Sequence, residues 1–149
     1  MDWIEKRAAE ARKADKQRKW TAFKLRLIES HSYEFFEQLT ALMEKSVAAF
    51  NEEFEGEDKV IESFEKSLNR FVVRRRASPA VELDCRLDYA KHEVRYQITG
   101  QVRGRKRAYQ YDSVLSFDVS GTNKVLLLSP DQIPMSLEQV TQLLLEPFF

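Results

Sequence analysis

From Val81 to Tyr89 the odd positions are apolar (Val81, Leu83, Cys85, Leu87, Tyr89) and the even ones carry Glu82, Asp84, Arg86 and Asp88. After a polar break the alternation resumes with Val94, Tyr96, Ile98 and Val102, set between Arg95, Gln97, Thr99, Gln101 and Arg103. Period-two alternation over this length predicts two antiparallel strands turning around 90–93. Each has one buried face and one face left to water or a partner.

The same logic extends the sheet in both directions. Gly104 to Arg107 reads as a turn into a third strand at about 107–119. There Tyr109, Tyr111, Leu115, Phe117 and Val119 share one phase, so the tyrosines are expected to point inward with the core residues. Ser120-Gly121-Thr122-Asn123 is a turn, and Lys124 to Ser129 holds a fourth, more fully buried strand. Upstream, Phe71-Val72-Val73 places a strand at 70–77. Residues 59–66 fit an edge strand or a short helix equally well.

Helical periodicity governs the two ends. Phe35, Phe36, Leu39, Leu42, Met43, Val47, Phe50 and Phe54 recur at steps of three and four, predicting a core-facing amphipathic helix over 32–54 that Gly56 ends. Residues 1–28 hold no Gly or Pro and are rich in Ala, Glu, Lys, Arg and Gln, which is helix composition. Their apolar seam is thin: Ile4, Ala8, Ala11, Ala22 and Leu25, interrupted by Asp15 and Arg18. The pattern fits one helix through 54 or two helices joined near His31. Near the C-terminus Ser136 and Gln139 form a capping-box pair opening a helix over 136–146 that Pro147 stops. Phe148 and Phe149 require a groove, by default on their own fold.

The predicted fold is therefore α+β, one domain over 1–149. A helical N-terminal region leads into an antiparallel meander of four to six strands within 59–129. One face of that sheet lies under helices, and a short C-terminal helix follows. A 43% apolar content with ten Phe supports a packed core.

Charge changes the picture by its arrangement. The net charge is zero, yet residues 1–28 hold nine Lys/Arg against four Asp/Glu, and residues 29–66 hold three against eleven. Residues 67–110 are again basic and 111–149 acidic. Such blocks fit pairing of a basic element with an acidic one, within the chain or between copies. The basic helix could lie along the acidic 29–66 segment of its own chain or of a second copy.

Chemistry is sparse. His31 and His92 lack neighbours suited to metal binding or nucleophile activation, and no phosphate-loop glycine pattern occurs, so no cofactor or metal is expected. Cys85 sits on an apolar strand face, as a buried inert thiol would. A single cysteine, no run of about 18 apolar residues and no apolar leader together predict a cytoplasmic protein without a membrane span.

Two functional expectations remain. The first is a non-enzymatic protein-interaction module, self-associating through the N-terminal helix and the polar sheet face of Glu82, Asp84, Arg86, Arg95, Gln97, Thr99 and Arg103. The second is nucleic-acid association through two basic clusters, Arg74-Arg75-Arg76 and Arg103-Gly104-Arg105-Lys106-Arg107, near aromatic side chains that can stack bases.

Overall fold

The computed structural model describes residues 2–77, 79–101 and 108–149. Its first element, α1, is one unbroken helix over Asp2–Glu53. The serines near His31 do not interrupt it. Ser32 is buried on the core-facing side within the stripe of Phe36, Leu39 and Met43, so tertiary contact on both sides holds the helix through this weak spot. The chain then turns at Gly56, whose φ of 77° favours glycine.

Seven strands follow in strict sequence order: β1 (Ser63–Ser67), β2 (Arg70–Arg75), β3 (Val81–Asp88), β4 (Glu93–Gln101), β5 (Ala108–Val119), β6 (Val125–Leu128) and β7 (Pro134–Met135). All neighbouring pairs are antiparallel. The meander is as expected, with a slightly higher strand count. Residues 59–66 resolve into a loop followed by the edge strand β1, and β7 adds a two-residue strand after Pro130. Helix α2 (Leu137–Leu145) carries the capping box: the Ser136 hydroxyl accepts from the Gln139 amide at 3.1 Å, and the Ser136 amide donates to Gln139 Oε1 at 2.9 Å.

The core lies on one side of the sheet. Register places Phe71, Cys85 and Tyr96 in one row and Val73, Leu83 and Ile98 in the next, all buried. The second half of α1 covers these rows. Phe36 stacks on Phe71 at 5.6 Å, and Phe71 on Phe64 at 5.9 Å, so three rings join helix, β2 and β1. Phe35 meets Phe117 edge-on at 5.4 Å. Asn51 fastens the following loop, accepting from the Ile61 amide at 2.7 Å and donating to its carbonyl at 2.9 Å.

One inward expectation fails. Tyr109 and Tyr111 share the phase of the core residues yet are exposed, at 38% and 52%. Their cross-strand neighbours are Gly100 and Ile98, at the end of the sheet away from the α1 contacts of β5. A parity rule assigns the face, and burial also needs a helix above it.

Candidate interaction surfaces

Among the described residues, the first half of α1 forms an exposed helical arm. From Asp2 to Phe23 every residue is exposed except the half-buried Ala8. At 1.5 Å per residue this arm is about 30 Å long. Sheet contact begins with Lys24, whose Nζ donates to Asp118 at 3.0 Å and also lies over the Trp20 ring. Trp20 stacks on Phe23 at 5.7 Å, and both rings are exposed near the root of the arm. The alanine seam at Ile4, Ala8, Ala11, Ala22 and Leu25 runs along it, and Asp15 pairs with Lys19 at 3.3 Å rather than with anything across the seam.

Because α1 is one unbroken helix, its basic first half cannot fold back on its acidic second half. The intrachain alternative raised by the charge pattern is thereby excluded for the helix. Glu34, Glu37 and Ala41 on the second half are exposed, while the opposite stripe is buried against the sheet.

The polar sheet face gathers Glu82, Asp84, Arg86, Arg95, Gln97 and Thr99 on adjacent strands, as alternation requires. Its charges are largely neutralised within the chain. Arg70 donates twice to Asp84, at 3.0 and 2.7 Å, and Arg86 donates twice to the same carboxylate at 3.2 Å. Arg70 and Arg86 stand directly opposite in the register, and Asp84 bridges two cations that would otherwise repel. Arg74 meets Glu82 at 3.3 Å and Glu65 at 3.4 Å, and Arg95 meets Glu93 at 2.8 Å and Asp88 at 3.7 Å. Arg70 was not singled out by the sequence, although its position opposite Arg86 calls for an acid between them.

Partial burial alone would raise the Asp84 carboxyl, but hydrogen bonds and charge from Arg70 and Arg86 bring it below the usual carboxylate range. A depressed folded-state value stabilises the fold above the unfolded-state value near 3.9 and is lost as pH falls through the folded value. Asp84→Asn should therefore lower stability at neutral pH and flatten its decline below about pH 4. Urea midpoints measured between pH 2 and 7 check this, and an unchanged acid limb would contradict it.

The arginine triplet divides three ways. Arg74 is ion-paired and Arg76 is exposed, but Arg75 is only 3% exposed, its side chain turned into the fold. It belongs to the core-facing phase of Phe71 and Val73, and that shared odd numbering was the available signal. Its guanidinium donates to the carbonyls of Pro79 and Lys59, each at 3.2 Å, and to that of Phe148. Arg74, Arg76, Thr99, Gly100 and Gln101 border a shallow groove across the sheet end. The Tyr109 ring lies so close over Gly100 that a Cβ there would meet it at 2.6 Å. Arg103, Arg105, Lys106 and Arg107 lie outside the described residues.

Cys85 is fully buried in the sheet wall, and burial pushes its thiol up, away from thiolate chemistry. Among the described residues no cluster of three or more His, Cys, Asp or Glu could hold a metal ion. None of the described helices is long and apolar enough to cross a membrane. Comparison with known protein families, curated proteins and solved structures finds no match.

Proposed function

We propose that this chain is a non-enzymatic interaction module that self-associates through the exposed first half of α1. The observation that carries the reading is a basic helical arm continuous with an acidic helical half it cannot reach. Most helices in proteins are stabilised by packing of one face, and this exposed arm packs on nothing in its own fold among the described residues, so a partner surface would supply those contacts. Exposed Trp20 and Phe23 at its root give that surface aromatic anchors. The polar sheet face has a smaller part, because its ion pairs are already made within the chain.

Removing residues 2–22 is expected to abolish association, and at concentrations where the full chain is also a monomer the thermal midpoint should stay within about 2 °C, since surface changes away from the core cost at most about 0.5 kcal/mol. Light scattering and melting curves on both chains test this. Equal masses for the two chains would sink the proposal.

Nucleic-acid association draws less support. Its first cluster has one arginine buried and one paired, and only Arg76 is left exposed on the groove.

A further inference from the structure

We infer that the partner of α1 is a second copy of α1, antiparallel, in a register that sets the basic half of each helix on the acidic half of the other. This rests on the self-association reading and adds the contact surface and its geometry. The surface is a stripe distinct from the alanine seam. It steps by three and four from Ala9 to Ala41, and every member is exposed except the half-buried Leu27.

In an antiparallel pair one register matches every layer of this stripe. Lys13 falls opposite the partner's Glu37, Lys16 opposite the partner's Glu34, and Ala9 opposite the partner's Ala41. At the centre Phe23 meets the partner's Leu27, and Trp20 lies over the partner's Ser30, so the exposed rings become the middle of the interface. Two-fold symmetry repeats each layer. Lys6 falls opposite the partner's Glu44, which already pairs with its own Lys66 at 2.6 Å, so the outermost layer adds least.

The alternatives fail on the same residues. A parallel pair sets Lys13 and Lys16 against themselves. Sliding one heptad either way places Lys16 against Leu27 or Ala41, and Phe23 against Trp20 or Glu34. Joining two copies through the alanine seam would lay two basic halves side by side. Charge selects the orientation and apolar contact fixes the centre.

The test uses full-length chains, with circular dichroism to verify folding. Lys13→Glu with Lys16→Glu, and separately Glu34→Lys with Glu37→Lys, are each expected to weaken association by at least about tenfold. Mixing the two variants should restore dimers, because the reversed charges complement each other. Ala9→Cys and Ala41→Cys should form disulfide-linked dimers on mixing and not singly, the buried Cys85 taking no part. Crosslinking of Ala9→Cys with itself would overturn the register and leave the helix as the docking element. Dimers indifferent to both charge reversals would overturn the charge-set register, and equal masses with and without residues 2–22 would overturn the helix as the docking element.

Discussion

Arg75→Ala is expected to cost roughly 3 kcal/mol of folding stability. The lost side chain makes three charge-assisted hydrogen bonds, each worth about 1.5–3 kcal/mol, offset in part because a guanidinium no longer has to be desolvated. Its carbonyl partners come from the loop before β1, the loop before β3 and the C-terminal turn at Phe148. One side chain thus ties together three segments that share no strand ladder. The guanidinium also lies 5.8 Å from the Phe148 ring, so its removal loosens that ring's pocket. For a chain of this size the midpoint should fall by about 10 °C. Arg75→Lys should recover little, because a single ammonium cannot span donors fixed in a fork. A loss below about 1 kcal/mol in chemical denaturation would show that water replaces the fork without cost.

Phe71→Ala should be at least as damaging, at about 3–5 kcal/mol. The ring is fully buried between Phe36 of α1 and Phe64 of β1. Truncating it opens a cavity and breaks both stacked contacts, and the edge strand β1 has few other apolar contacts to hold it. The denaturation midpoint should drop with an unchanged slope, the sign of lost stability rather than a changed unfolded state. Trp20→Ala and Phe23→Ala, aromatic truncations of similar size on the arm, should leave the melting of the monomer almost unchanged. That contrast separates the rings that hold the fold from the rings proposed to meet a partner.

The sheet was legible because each of its long strands has one wet face. Strict alternation from Val81 onward fixed the phase of Cys85, Leu83 and Val94, and the charges of Glu82, Asp84 and Arg86 followed on the other side. Short segments hid themselves. In the β1 strand the apolar phase is carried by a single ring, Phe64, and β7 is two residues after a proline-rich loop, so neither shows a period. Arg75 defeated a reading by residue type, since three arginines in a row look like surface until the parity of Phe71 and Val73 is carried one step further. Tyr109 and Tyr111 defeated the opposite inference, because phase does not reveal where the covering helix stops. The continuity of α1 through Ser32 rests on burial against the sheet, a tertiary effect outside the reach of local propensity.

What the charge blocks meant depended on that continuity. Two helices joined near His31 could have paired with each other, and one unbroken helix cannot. The sequence alone left both the chain itself and a second copy as partners for the basic arm, and the geometry of α1 removes the first.

Sedimentation equilibrium of the full chain over a range of salt tests this account most directly. Opposite charges facing across a solvent-accessible helix pair are screened within about 10 Å at 0.1 M salt. The expected result is twice the chain mass at low ionic strength, falling toward the single-chain mass as salt rises. A single-chain mass at the lowest salt and highest concentration would contradict the claim that α1 joins two copies.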